Sequence, residues 1–556
     1  MHFPSISQKR RLSVLFFKRG SGFLNGEENQ PEAVAISDNQ RFSARVIIWA
    51  LTLAAVALTV FGAKVLLIAN YGSFIPFLDQ WDGEAADLYL PYLKSQLSFA
   101  ALLASHNEHR ILLPRLLLLA LFEFSGEWRP TLQMIFNAGL NAGFAVLVAS
   151  LTSLLVNLQD RLLAAAMTAL ILCLPLSWEN TLAGFDMPWF LLVIFVTLAI
   201  AALASAAAFS ALWWAGVGAC VLAYFTIASG ALAILAASAI VTIQLLIKER
   251  IGAREFWALG LLLLTAAIMI ACTTSVPHHQ QLKAHGATQF LFGLLKLTSW
   301  PLPPGIAIVQ LPIAGLAYYC VVRRLLRTNL CWTVVGIGAF VWLQMVSLAY
   351  GRAGGVTASR YMDMLSVSLA LNFVALLFLV RQTSQTRVRR IWIGLLATWT
   401  IAIGIGLADA TKQAMRGAVD RGQLYQLEIK NVDAYLAGDR LALRDKPLFH
   451  IPYPDAERLE HLLDDPMVVA ILPREFRKNE SSGSEIYDRL LSRGRFSELA
   501  LHVEKATFKA KYVFPALGIF AFLLAWLLTK RMHTSTAPVG EDKARQSLAF
   551  PRVQKS

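Results

Sequence analysis

Residues 71–130 read YGSFIPFLDQWDGEAADLYLPYLKSQLSFAALLASHNEHRILLPRLLLLALFEFSGEWRP, and the path of the chain through this stretch decides the fold. Before it, 46–69 is apolar and long enough to span a bilayer; after it, 131–155 is apolar again. Between them, 111–124 is greasy but short, with Pro114 and Arg115 near its start and Glu123 near its end. Crossing the hydrocarbon core takes about 20 apolar residues in a helix. Positive charge separates the two paths. If 111–124 crossed, the blocks KERIGAR (248–254), RRLLR (323–327) and RQTSQTRVRR (381–390) would all lie outside the cell. If it lies along the surface, all three join the basic N-terminal segment and Lys530–Arg531 inside. The bias of Lys and Arg toward the cytoplasm favours the second path.

The rest of the chain agrees with a polytopic membrane protein. Of 556 residues, 56% are hydrophobic and only 15% charged, and the mean hydropathy is +0.54, which excludes an ordinary soluble domain. The net charge of +14 sits in short blocks between apolar runs, so it reads as membrane orientation and not as a nucleic-acid surface. The five cysteines, Cys173, Cys220, Cys272, Cys320 and Cys331, lie in or beside apolar runs, without metal-ligand or redox spacing.

Candidate spans lie near 46–69, 131–155, 163–178, 188–209, 211–228, 230–247, 256–272, 305–322, 330–350, 362–380, 391–409 and 512–529. The expected fold is therefore all-α, with about twelve transmembrane helices in a bacterial inner membrane and both termini cytoplasmic (1–45 and 530–556). The loop 70–130 is then periplasmic and carries two interfacial helices, 84–98 and 110–124, with Tyr89 and Tyr92 at headgroup depth. Residues 410–511 form a small periplasmic domain before the last span, broken by prolines, with short helices at 455–463 and 484–494. That domain carries no catalytic signature; a lid, an acceptor-docking surface and a packing domain are all open for it.

Ionisable groups concentrate in the external loops. Asp79, Asp82, Glu84 and Asp87 fall within nine positions. Asp79 and Asp82 share one helical face, where one acid can act as base while the other orients it or binds a cation; alternatively, Asp82 caps the helix that follows. His106-Asn107-Glu108-His109-Arg110 differs from the zincin pattern because its histidines are three apart. Glu108 is a candidate acid or sugar-hydroxyl acceptor, and Arg110 a phosphate contact, since a guanidinium donates two parallel hydrogen bonds. The plainer reading is an interfacial turn with snorkelling side chains.

In SWENTLAGFDMPW (177–189), Asp186 precedes Pro188 at the mouth of a span and is a candidate third acid or a helix cap. Arg352 and Arg360 occupy the glycine-rich YGRAGGVTASRYMDM (350–364) and suit a phosphate-bearing lipid headgroup. His278, His279 and His285 match no metal spacing and read as a solvated loop. Gln133, Asn137 and Asn141 recur every four residues beside a Gly139–Gly143 GxxxG, the pattern of a helix-packing seam.

Taken together, Asp79–Asp82 just after the first span, the two surface helices and Glu179–Asp186 between the third and fourth spans resemble the plan of the GT-C membrane glycosyltransferases. The protein mannosyltransferases and lipid A aminoarabinose transferases are nearest in plan, and the likeness covers roughly 46–410. The resemblance implies that Asp79 or Asp82 deprotonates the acceptor and that Arg352 and Arg360 hold the donor phosphate; Glu108 sits where such enzymes often carry a further acid on the surface helices, and Glu179–Asp186 matches their second acidic loop. It implies a polyprenyl-phosphate-linked sugar as donor and a glycan, lipid or protein as acceptor. Metal is left unknown, with a divalent cation admissible, because the family has members of both kinds. Many relatives carry adjacent acids where this chain has Asp-Gln-Trp-Asp, which leaves the identity of the base open. The rival functions are a transporter or flippase for a lipid-linked glycan and a non-catalytic envelope-assembly protein.

Overall fold

A computed structural model describes residues 38–476 and 496–534, and the chain divides into two units, 1–45 and 46–556. The helix expected at 484–494, residues 1–37 of the N-terminal segment and 535–556 of the C-terminal one lie outside the described residues. The described chain is helical throughout, with a lone backbone bridge between His106 and His109.

The principal helices are α1 (Asp38–Tyr71), α2 (Leu112–Ser125), α3 (Pro130–Ser153), α4 (Leu158–Cys173) and α5 (Met187–Ser205). Then come α6 (Ala211–Tyr224), α7 (Ala231–Leu246), α8 (Ala253–Ala271), α9 (Ala287–Ser299) and α10 (Leu311–Val322). The last five are α11 (Cys331–Gly351), α12 (Met362–Gln382), α13 (Thr386–Leu436), α14 (Ser497–Lys509) and α15 (Val513–Thr534). Ten described helices are long and apolar enough to cross a membrane, while α6 and α10 are shorter. Each of the twelve apolar segments read from the sequence thus corresponds to a helix, two of them below spanning length.

Hydrogen bonds sort the helix ends into two faces. On one, which carries 72–129, the Leu113 N–H donates to the Phe225 carbonyl at the end of α6, and the Glu179 N–H donates to Ser359 Oγ before α12. On the other, Arg250 donates to the Leu203, Ala204 and Ala206 carbonyls at the end of α5 and pairs with Glu255. There too Arg381 grips Asp160 with two bonds of 2.6 and 2.8 Å, and the Arg327 N–H donates to Glu249. The basic blocks therefore gather at the face opposite the acidic loop. Helix α2 starts against Phe225, and just beyond its end the Trp128 N–H donates to Ile471, so it does not pass through the bundle. The span containing α12, Ser359–Gln382, is buried along its whole apolar window and forms the centre of the bundle.

Several expectations need correction. The first loop helix starts earlier and ends sooner than 84–98: it winds as a π-helix over Trp81–Tyr89, continues to Leu93, and Ser95 breaks it with φ 57°. Tyr89 is a core residue stacked on Phe122, not a headgroup anchor, because its hydroxyl donates to buried Glu84. Position 410 falls inside α13, which runs unbroken for 51 residues, about 75 Å at 1.5 Å per residue, far more than a bilayer core requires. Within the 273–304 loop, α9 lies beside the end of α11 with Leu291, Phe292 and Leu295 exposed and Gly293 and Leu297 buried. Gly139 and Gly143 face open space, so no described helix of this chain packs on them; α3 is held by Gln133, and by Asn137 donating to the Ala183 and Gly184 carbonyls.

Candidate active site

The chain leaves α1 at Gly72 and turns back through Leu78, whose φ of 47° lies in the left-handed region that non-glycine residues seldom occupy. Asp79 follows immediately. Its carboxylate is 58% exposed and stands 3.6 Å from His106 Nε2. His106 is placed by reciprocal backbone hydrogen bonds with His109 (2.8 and 3.0 Å) around Asn107, and its ring meets Phe185 edge-on. Gly83 permits this approach, because a Cβ there would sit 2.9 Å from the Phe185 ring and 3.2 Å from that of His106. Partial enclosure pushes the Asp79 pKa up, but His106, with Arg360 and His109, outweighs it and holds the carboxyl below its ordinary value. An exposed, ionised carboxylate is competent as a general base at neutral pH.

The second acidic stretch is docked onto the loop before α12. Ser177 Oγ and Asn180 Nδ2 donate to the two oxygens of Asp363 (2.7 and 2.9 Å), and Asn180 also donates to the Arg360 carbonyl. Ser359 Oγ donates to the Leu176 carbonyl, and the Arg360 N–H donates to Glu179 Oε2. Arg360, 54% exposed, keeps its guanidinium 3.9 Å from Glu179. Asp186, at the start of the next span, feels the charges of Arg360, Asp79, Glu179 and Asp363. Asp79, Asp186 and Arg360, from three separated stretches of sequence, thus lie within electrostatic reach of one another.

Glu108 and Arg352 make a neighbouring cluster. Glu108 Oε1 lies 2.5 Å from His279 Nδ1 and accepts from Arg352 Nη2 at 3.1 Å. Burial raises the Glu108 pKa, yet the His279 hydrogen bond and Arg352 charge prevail and bring it to about 2. His109, pushed down to about 4 by burial, takes the Ala228 N–H on its Nδ1. The hairpin 106–109 therefore serves both clusters. His279, read as solvated from its spacing, is a partner here; the side chain of His278 lies outside the described residues.

The other expected site residues face elsewhere. Arg110 donates to the Leu103 carbonyl (2.9 Å), and buried Arg115 donates to the Ala101, Leu102 and Ala104 carbonyls, tying off the short helix before the hairpin. Asp82 turns away from Asp79: Arg458 Nε and Nη2 reach its Oδ1 at 3.0 and 2.9 Å, and the Tyr453 hydroxyl donates to its Oδ2. Of the two acids, Asp79 is the one left exposed. Glu84, noted only as one acid of the run, is a buried hub accepting from Gln80, Tyr89, Trp128 and Gln133. Lys64, buried in the first span, donates to the Leu174 carbonyl and lies within electrostatic reach of Asp363. Neither Lys64 nor Arg458 carries a motif that would have singled it out.

Among the described residues, no three His, Cys, Asp or Glu side chains are arranged to hold a metal ion. No family model matches the chain, and neither a curated protein nor a solved structure matches it.

Proposed function

We propose that the chain is an inverting membrane glycosyltransferase of the GT-C plan, moving a sugar from a polyprenyl-phosphate donor to a cell-envelope acceptor on the periplasmic face. One observation carries this reading: an exposed carboxylate after the first span, Asp79, shares its electrostatic surroundings with Asp186 and Arg360 from two later loops. Ionisable groups from separate stretches, brought to one membrane-side face and left partly open, suit chemistry better than packing.

In the reaction, Asp79 takes the proton of an acceptor hydroxyl as its oxygen attacks the anomeric carbon. The bond from that carbon to the phosphate oxygen breaks, and the polyprenyl phosphate leaves with the electron pair. Arg360 faces the growing negative charge. Glu179, 3.9 Å from the Arg360 guanidinium, keeps it by the site with Asp186 in electrostatic reach, and Arg352, already paired with Glu108, borders it from the next cluster. Asp82 and Arg110 act as supports, given their partners.

A second reading, a transporter for a lipid-linked sugar, draws on one feature. Midway along the central span, Asn372 and Ser368 bond to Gln310, and Asn372 Oδ1 accepts the Ile313 N–H where α10 begins after an irregular stretch. Interrupted helices of this kind line substrate sites in transporters. Envelope glycans and lipids of a strain lacking the chain, complemented with wild type, Asp79→Asn or Asn372→Leu, separate the two. A transferase loses its product with Asp79→Asn and keeps it with Asn372→Leu. A transporter gives the reverse.

A further inference from the structure

Pro452 and Tyr453, neighbours in sequence, grip the chain on either side of Asp79. The Pro452 carbonyl accepts the Leu78 N–H at 2.8 Å, while the Tyr453 hydroxyl and the Arg458 guanidinium together occupy both oxygens of Asp82. Leu78 is the residue with the left-handed φ, a conformation that persists in a leucine only where its surroundings over-determine it. Local bonds complete the turn: Phe77 N–H to Gln80 Oε1, Trp81 N–H to the Leu78 carbonyl, and Trp81 Nε1 to the Pro76 carbonyl.

The gripping segment is itself fixed. Asp455 caps the helix Ala456–Leu463 by accepting the Arg458 N–H, which sets Arg458 in its first turn. Leu459, Leu462 and Leu463 are buried in the same apolar cluster as Trp81, Ala85 and Leu88. Asn431 on α13 donates to the His450 carbonyl and so links the segment to the long helix. Asp79 takes no part in any of these contacts; its carboxylate is left to His106.

We propose that residues 452–458 are a positioning element for the Asp79 carboxylate, with Arg458 and Tyr453 acting through Asp82 and Pro452 acting through Leu78. This gives the segment before the last span a role in the reaction, and it rests on the reading of Asp79 as the base. Removing the grip lets the turn relax toward an ordinary backbone conformation and carries Asp79 away from His106, Asp186 and Arg360. The fold loses little, because the apolar contacts of Ala456–Leu463 are untouched.

The test uses full-length protein in a strain lacking the chain, reading envelope product by mass spectrometry and melting temperature on the purified protein. Arg458→Gln and Tyr453→Phe each lower product at least several-fold with little change in melting. Leu78→Gly in the Arg458→Gln background restores product, because glycine adopts a left-handed φ without strain; a purely structural role for Arg458 would give no such rescue. Should Arg458→Gln fail to fold, Tyr453→Phe, which removes a single hydroxyl, decides alone. Wild-type product from both grip variants, alongside loss of product with Asp79→Asn, overturns the positioning role and leaves the transferase reading intact. Failure of Leu78→Gly to rescue a folded Arg458→Gln protein overturns it as well. Full product from Asp79→Asn overturns the reading beneath it.

Discussion

Glu84 shows how far a residue's role can depart from its sequence neighbourhood. It lies in the same acidic run as Asp79, yet it is buried and meets four neutral donors and, among the described residues, no cation. Burial drives its pKa up and the bonds from Gln133, Gln80, Trp128 and Tyr89 hold it back, leaving it at about 7. For a carboxyl raised in the folded state, the contribution to stability is complete below its unfolded pKa and is lost as pH rises through about 7. Across that window the effect is worth roughly 3 kcal/mol. Melting curves of wild type should therefore fall between about pH 4.3 and 7, and those of Glu84→Gln should be flatter over the same range. Glu108 behaves oppositely: its contribution is present above its unfolded pKa and is lost only as pH falls through about 2.

At the scale of elements, the apolar windows announced the helices well, because crossing a membrane imposes length and composition on each one separately. What they could not announce were contacts between distant positions. Arg458 meets Asp82 from 376 positions away, and nothing local to either residue encodes that pairing. The unbroken α13 was also hidden, since its apolar stretch ends long before its helix does and the polar remainder reads as a separate domain. The sequence likewise placed His279 in solvent, because a histidine's partner is invisible until the hairpin 106–109 is folded against its loop.

Close packing between helices was misplaced for a similar reason. The GxxxG at Gly139 is open, whereas Gly62 and Gly518, without any motif, sit where a Cβ would meet Pro515 Cδ and Thr59 Oγ1 at 2.4 Å each. Interhelical hydrogen bonds in membranes contribute only about 0.6 kcal/mol each, so contact at such small residues carries much of the association of α1 with α15. Gly518→Val should separate these helices and lower the melting temperature, while Gly139→Val should leave it near wild type. Differential scanning of the two purified variants distinguishes them.

For the whole molecule, the acidic loop and the basic blocks lie at opposite faces of the helical bundle, and the expected orientation puts the acids outside. In a cysteine-free background, Gln96→Cys should react with a membrane-impermeant maleimide in spheroplasts, and Arg389→Cys only after lysis; both positions are exposed. The reverse pattern would set the acids in the cytoplasm and end the case for a lipid-linked donor in the outer leaflet.

Whether Asp79 acts as a base on a sugar acceptor is decided with reconstituted protein. Proteoliposomes supplied with a panel of polyprenyl-phosphate hexoses and pentoses, together with a membrane extract as acceptor source, would be followed for free polyprenyl phosphate. Wild type should release it from at least one donor, and Asp79→Asn should be slower by about 10²–10⁴-fold, the usual worth of a general base. Release by Asp79→Asn within a factor of about two of wild type would mean that Asp79 is not the base.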